Sequence, residues 1–329
     1  MKILLTGGAG YVGSACLRRL LRNGYDAVAY DNLSAGNRRS VPPSRLVTGD
    51  INDLERLTSV LREGHFEAVM HFAALASVPD SIHDPDSYYH VNVMGTKCVL
   101  DAMRAAGVFR IVFSSTAATY SFAAQMPLRE DSPQEPEVPY GTTKLAAEWM
   151  IKDYARAYRL GYVIFRYFNA SGADLDGSNG ESRERESHLI PLIFSAALGQ
   201  RPTLSVFGQD YDTSDGTCIR DYVHVDDIAQ AHEASLALIE RGIGHCYNLG
   251  SGQGATVLEV LQAAERVVGR TIPHKIVGRR PGDPGVLVAT PERALKELRW
   301  RPAHSDLHTI ISSAWRWHSA HPDGYSEAS

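Results

Sequence analysis

Short apolar runs, each bounded by glycine, aspartate or small residues, recur along the first half of the chain. KILLT at 2–6 is the first, and GGAGYVG follows it. SACLRRLLRNGY comes next, with Leu17, Leu20 and Leu21 at helical spacing and Gly24 ending the run. DAVAYD at 26–31 reads as a second strand and finishes on Asp31. Further strand-length runs lie at 45–50 (RLVTGD), 68–75 (AVMHFAAL), 110–116 (RIVFSST) and 162–169 (YVIFRYFN). Helical segments separate them. Alternation of strand and helix over this length predicts an α/β chain with a doubly wound parallel sheet. Residues 121–139 interrupt the alternation. There Pro127, Pro133, Pro136 and Pro139 interleave with Glu130, Asp131, Glu135 and Glu137. Such a stretch is a long surface loop, here leading from Thr116 to a helix that begins near Tyr140.

Composition narrows the class. The 329 residues are enough for one large α/β unit and a smaller lobe. A net charge of −5 offers no basic surface for nucleic acid or an anionic membrane. No apolar run approaches the roughly 18 residues of a membrane span. The N-terminal apolar run stops at the glycine turn and reads as a strand, not a secretory signal. Cys16, Cys98, Cys218 and Cys246 are scattered without a C-x-x-C pair. Neither a disulfide framework nor a metal site is expected, and a reducing cytoplasm is the expected compartment.

The strand ends carry the chemistry. Gly7, Gly10 and Gly13 form G-x-x-G-x-x-G between a strand and a helix, and Asp31 stands 18 residues beyond Gly13. Glycines let the backbone approach a pyrophosphate, and the helix N-terminus offers free N–H groups. Asp31 can accept both ribose hydroxyls of an adenosine and would repel a 2′-phosphate. The expected cofactor is therefore NAD, with Arg38 and Arg39 the only feature pointing toward NADP. Ligands of such sheets bind outside the carboxyl ends of the strands. Those ends hold Gly7, Asp31, Asp50, Ala73, Ala74, Ser114, Ser115, Thr116 and Asn169.

Tyr140 and Lys144 stand four apart and so share a helix face. A free phenol titrates near ~10 and is a poor base at neutral pH. An adjacent ammonium and a cationic nicotinamide would both favour the phenolate. Lowering the value by about 3 units needs about 4 kcal/mol. The phenol would then exchange a proton with a substrate hydroxyl held by Thr116.

TGGAGYVG, Asp31-Asn32, GDI, HFAA, SST, Tyr140-x-x-x-Lys144 and RYFNASGA, in that order, resemble the extended short-chain dehydrogenase/reductase family. HLIPLI, VFGQDYDTSDGTCIRDYVHVDDIA, YNLGSG, RRPGDP and the terminal WRWHSAHPDGY are similar to the UDP-glucose 4-epimerase family within it. The resemblance covers nearly the whole chain. It implies a Rossmann-type sheet at 1–172 with a returning segment at about 223–252, and a smaller C-terminal α/β lobe at 173–222 and 253–329. Thr116, Tyr140 and Lys144 would be catalytic. Gly7, Gly10, Tyr11, Val12, Gly13, Asp31, Asn32, Asp50, Ile51, Phe72, Ala73, Ala74, Asn92, Ser114, Tyr140, Lys144 and Phe168 would hold NAD. Thr116, Asn169, His188, Leu189, Phe207, Arg220, Arg280, Asp283 and Leu287 would hold a UDP-sugar. For Arg220 an ion pair with Asp221 or Asp226 is the structural alternative. A homodimer is implied, paired through helices near 92–106 and 141–158; Val99, Met103, Met150 and Tyr154 permit that pairing and permit packing within the domain equally.

The implied reaction is 4-epimerisation through a transient 4-keto sugar. Three positions qualify it. Ser121 stands where the family usually has glycine, and Ala76 where some relatives have lysine. Ala117 and Ala118 occupy the place where related dehydratases and decarboxylases carry acids. Methyl groups cannot move a proton, so elimination chemistry is disfavoured. Leu287 is intermediate between a bulky residue that excludes N-acetyl sugars and a small one that admits them, so UDP-N-acetylhexosamine and UDP-pentose remain alternatives. A non-catalytic NAD sensor is the rival from another class. It would need the glycine turn and Asp31, but not Thr116, Tyr140 and Lys144 together.

Overall fold

A computed structural model describes residues 1–280 and 283–325. Pro281 and Gly282 of RRPGDP, and 326–329 of the expected C-terminal lobe, lie outside the described residues. Seven strands form the main sheet: β1 (Lys2–Thr6), β2 (Asp26–Asp31), β3 (Leu46–Thr48), β4 (Ala68–His71), β5 (Arg110–Thr116), β6 (Gly161–Tyr167) and β7 (Gly244–Leu249). Their order is β3-β2-β1-β4-β5-β6-β7, and every neighbouring pair is parallel. The chain direction across the sheet reverses between β1 and β4. A crevice opens at such a switch point, beyond the strand ends.

Both faces are covered, as a parallel sheet requires. Ile3, Leu5, Leu17, Leu20, Met70, Phe165 and Ile228 share one core, while Leu4, Val69, Val99, Met103, Phe113 and Ile151 share the other. Alternate residues of β1 thus point to opposite layers. On the first face lie α1 (Tyr11–Arg22) and the helix Val225–Ser235. On the second lie α2 (Gly95–Ala106) and α3 (Pro139–Tyr158). Val99 and Met103, open to either packing in the sequence, are therefore core side chains, 0% and 1% exposed. Met150 and Tyr154 pack against that same core.

Three strands are shorter than the apolar runs suggest; of RLVTGD only Leu46–Thr48 joins the sheet. AVMHFAAL leaves the sheet after His71, because the Phe72 and Ala73 N–H groups both turn onto the Thr6 carbonyl (2.8 and 3.0 Å). YVIFRYFN leaves at Phe168, and Asn169–Ser171 then pairs with Tyr222–His224 instead.

A buried ionic knot fixes α3 against the sheet. Glu148, on α3, accepts from Arg166 of β6 at 2.9 and 2.7 Å and from Ser115 of β5 at 2.6 Å. A second core, built around Ile193, Phe194, Val260, Leu261, Ile310 and Ile311, joins helices Leu189–Ala197, Val257–Val268 and Leu307–Ala320. Asp221 joins it to the sheet. Its carboxylate accepts from the backbone N–H groups of Ser251, Gly252 and Ala289 and from the Ser251 hydroxyl.

Candidate active site

A cavity of about 1010 Å³ runs along the carboxyl ends of the strands and under the second lobe. Its floor at one end is the turn between β1 and α1. Gly7 has φ +71°, and a Cβ there would sit 2.4 Å from the Ala73 nitrogen. A Cβ on Gly13 would sit 2.2 Å from the Gly7 carbonyl oxygen. Only glycine permits this close approach of turn, helix and strand end. No side chain caps α1 at Gly10, so its first N–H groups face the cavity wall made by Gly10, Tyr11, Val12 and Gly13. Asp31 lies beyond the turn and accepts from Ala9 N–H (2.9 Å) and Leu33 N–H (2.8 Å). Burial raises its carboxyl from the ordinary value, and these two bonds oppose that shift. Asn32 donates to Asp50 at 2.8 Å, and Ile51 completes this wall. A glycine cradle with a carboxylate at the next strand end fits an adenosine dinucleotide without a 2′-phosphate.

Thr116, at the end of β5, lines this cavity together with Tyr140, in the first turn of α3. Tyr88 meets the Tyr140 ring edge-on at 6.4 Å. Burial pushes the phenol upward, and Thr116 and then the charge of Arg183 oppose it. Lys144 follows one turn along α3, with its ammonium over the Phe113 ring, 4.4 Å from the centroid. Burial pushes Lys144 down to about 7, against the opposing charge of Glu148 one turn on. Beneath it His71 bonds Thr6 and Thr96 at 2.7 and 3.0 Å, and burial holds it neutral, down to about 3.

Phe72, Ala73, Ala74, Ser114 and Phe168 line the same cavity, and Ser114 is hydrogen-bonded to the Tyr167 hydroxyl. Asn92 does not line it. Its amide instead clasps both backbone groups of Leu75 (2.8 and 3.0 Å) and the Thr143 hydroxyl (3.1 Å). It therefore fixes the loop after β4 to α3, one residue before Lys144.

At the far end Asn169, His188, Leu189, Phe207, Arg220, Arg280, Asp283 and Leu287 all line the cavity. Arg220 pairs with Asp283 at 2.9 Å, not with Asp221 or Asp226. The Arg280 guanidinium lies 3.9 Å over the Phe207 ring centroid. Leu287 packs in a small cluster with Ala117, Tyr120, Leu128 and Phe168.

The family model of the NAD dependent epimerase/dehydratase family matches residues 3–250. The UDP-glucose 4-epimerase of Corynebacterium glutamicum is 47% identical over 321 residues, 97% of this chain and 96% of that one. The UDP-glucose 4-epimerase from Brucella ovis, solved in complex with NAD, superposes with a TM-score of 0.92 at 45% identity, covering 95% of this chain and 97% of that one. That from Stenotrophomonas maltophila, with bound NAD and formylated UDP-arabinopyranose, gives 0.94 at 38% identity over 98% and 99%. This chain belongs to the UDP-glucose 4-epimerase family.

Several cavity residues escape the sequence patterns. Tyr222 and Ser205 line the second lobe beside Arg220 and Phe207, and Phe122 lines the wall beyond Ala118. Glu181 and Arg183 belong to ESRERES, a charge run that reads as a solvated face. Instead the terminal helix covers it: Trp317 donates its indole N–H to the Glu181 carbonyl at 3.0 Å. Glu181 Oε1 accepts from both Arg183 Nε and His188 Nδ1, each at 2.8 Å. Glu186 accepts the Ser187 and His188 N–H groups at 2.8 Å. One ligand-type atom each from Glu181, Glu186 and His188 lies within 4.8 Å of the others. The Arg183 cation already neutralises Glu181 there, so the group reads as an ion-pair cluster.

Proposed function

We propose that this chain interconverts the C4 epimers of a UDP-sugar, UDP-glucose and UDP-galactose first, with NAD as a cofactor regenerated in each turnover. One observation carries this reading: Tyr140 and Thr116 line the cavity into which both the glycine cradle and the arginine-lined lobe open. Gly7, Gly10, Gly13 and Asp31 would hold NAD, which would supply a hydride acceptor and donor for the sugar C4, with Lys144 on its nicotinamide ribose. Tyr140 would take the proton from O4 and later give one back, and Thr116 would orient that oxygen. Arg220 and Arg280 suit a diphosphate, since guanidinium forks match phosphate oxygens, and Asp283 accepts ribose hydroxyls.

A single cavity lined by both lobes leaves room for the keto sugar to turn between the two half-reactions. Ala117 and Ala118 line it beside Thr116 and provide no acid for elimination. Leu287 leaves UDP-N-acetylhexosamine and UDP-pentose as the second reading. The domain division proposed is a cofactor sheet at 1–172 and about 223–252 with a sugar-nucleotide lobe from the remainder. We also propose a homodimer. Tyr89, Met94 and Trp149, beside and on α2 and α3, are exposed apolar side chains, with Trp149 57% exposed. A cytoplasmic setting is supported by four free cysteines and by the lack, among the described residues, of a helix long and apolar enough to cross a membrane.

The test is incubation with UDP-galactose and no added electron acceptor. UDP-glucose is the expected product. A keto-deoxy sugar would indicate dehydration, and no conversion of any UDP-sugar would favour the sensor.

A further inference from the structure

Residues 172–183 lie along α1 as a strap that the reaction scheme above does not use. Both ends of the strap line the cavity, at Gly172 and at Glu181, Ser182 and Arg183, together with Gly10, Tyr11 and Val12 of the glycine cradle. Side chains of α1 hold the strap down. The Tyr11 phenol donates to the Gly172 carbonyl at 2.6 Å, and the Asn179 amide donates to the Ser14 hydroxyl at 3.2 Å. Further along, Arg18 donates to the Ser178 hydroxyl at 3.1 Å, and Arg22 pairs with Asp174 at 2.9 Å. Ser14 and Asn179 are 0% and 1% exposed, so water cannot replace a partner that either one loses.

The strap is backed in turn by residues 317–325. A Cβ on Gly180 would sit 2.4 Å from the Trp317 ring, so the strap backbone packs directly on the indole. Tyr325 lays its own ring against Trp317, 4.7 Å between centroids. Its hydroxyl donates to the Asn179 side-chain oxygen at 2.5 Å and accepts the Gly180 N–H at 3.2 Å. Its carbonyl accepts from Arg39 at 3.1 Å. Tyr325 therefore reaches the glycine turn by two routes. One runs through Arg39 and Asn37, whose N–H donates to the Ala9 carbonyl at 2.9 Å. The other runs through Asn179 to Ser14, which donates to the Tyr11 carbonyl at 3.1 Å.

We propose that Tyr325 is a positioning residue for the cofactor: it locks the strap onto the first turns of α1 and so slows the release of NAD. The proposal rests on the cofactor half of the reading above. A pyrophosphate would be held by the free N–H groups that begin α1. The strap borders that wall, and it must part from α1 before this side of the cavity can open. Tyr325, Asn179 and Ser14 act in series, each hydroxyl or amide orienting the next, so losing any one of them undoes the same lock.

The experiment measures exchange of bound NAD for deuterated NAD, well below the unfolding temperature, by mass spectrometry of the cofactor after denaturation. Tyr325→Phe keeps the ring on Trp317 and removes the hydroxyl, and exchange should become about tenfold faster. Ser14→Ala should act alike, and the double variant should be no faster than either single, because both break one relay. Turnover of UDP-galactose per bound NAD, and its KM, should stay at the wild-type values. Tyr247→Phe is the control for general loosening. It removes a phenol hydroxyl bonded to Glu297 at 3.2 Å, on the edge strand β7, and should exchange at the wild-type rate. A wild-type rate in Tyr325→Phe overturns the proposal, and so does equal acceleration in Tyr247→Phe or an additive double variant. Failure of the epimerase reading would appear separately, as a protein that exchanges NAD as described yet converts no UDP-sugar.

Discussion

Glu148 and Arg166 form a two-point ion pair closed to solvent, with 0% and 2% of their side chains exposed. Both partners also have work beyond the pair. Glu148 accepts from Ser115, and Arg166 donates to Tyr120 at 2.9 Å. Removing Arg166 leaves buried Glu148 with only the more distant Lys152 ammonium, at 3.5 Å, as counter-charge; breaking such a buried pair costs about 3–5 kcal/mol. Arg166→Met should therefore lower the unfolding temperature markedly, whereas a double Glu148→Leu/Arg166→Met variant should recover much of the loss. Thermal melts of the three proteins check this. Equal losses in single and double variants would show that packing, and not charge, holds α3.

Tyr140→Phe removes the proton carrier and keeps the ring that meets Tyr88. Turnover of UDP-galactose should fall by about 10²–10⁴, the usual range for a lost acid–base group. NAD content, read by absorbance after denaturation, should be unchanged. Thr116→Ala should fall less, since it orients the oxygen without moving the proton.

Lys144 sets a pH dependence on stability. Its folded value, pushed down to about 7, lies below the unfolded value near ~10.4. Between the two, the unfolded chain binds a proton that the folded chain does not, so stability rises with pH across that window. The cost of burying Lys144 is greatest below about pH 7 and fades toward pH 10. In protein stripped of cofactor, Lys144→Met should raise the unfolding temperature near pH 6 and lose that gain near pH 10, with turnover abolished. Calorimetry across this range decides it; a gain independent of pH would mean that Lys144 is not being discharged.

Leu287 shares a cluster with Ala117 and Phe168 at the sugar end of the cavity. Leu287→Ser should raise kcat/KM for UDP-N-acetylhexosamines relative to UDP-hexoses, and Leu287→Tyr should lower it. Gaining or losing a few carbon atoms in such a pocket is worth about 10–200-fold. An unchanged ratio in both variants would place the selecting contact elsewhere.

The sheet is legible in the sequence wherever an apolar run ends on a turn residue. KILLT, DAVAYD and RIVFSST match β1, β2 and β5 residue for residue. HFAAL looked like strand because its residues are apolar, but the strand stops where two N–H groups converge on Thr6, a contact between segments 65 residues apart. Tyr140 and Thr116 line one cavity. The burial of Glu181 was illegible for a different reason. A run such as ESRERES is solvated unless something distant covers part of it, and Trp317, more than 130 positions later, caps its first residue. Val99 and Met103 left two readings open, because an apolar helix face has one pattern whether its partner is its own sheet or a second copy; the sheet is the partner here.

Asp221 gathers donors from residues 251, 252 and 289 beside Arg220, and so it ties the end of β7 to the lobe that carries the arginines. The cores on the sheet and the core of the lobe could melt one after the other. Two stretches of backbone fastened to a single buried carboxylate oppose that, because the lobe core cannot loosen without unmaking the edge of the sheet. The molecule should melt as one cooperative unit, and a ligand gripped at the arginine end should make the cofactor end more resistant to heat.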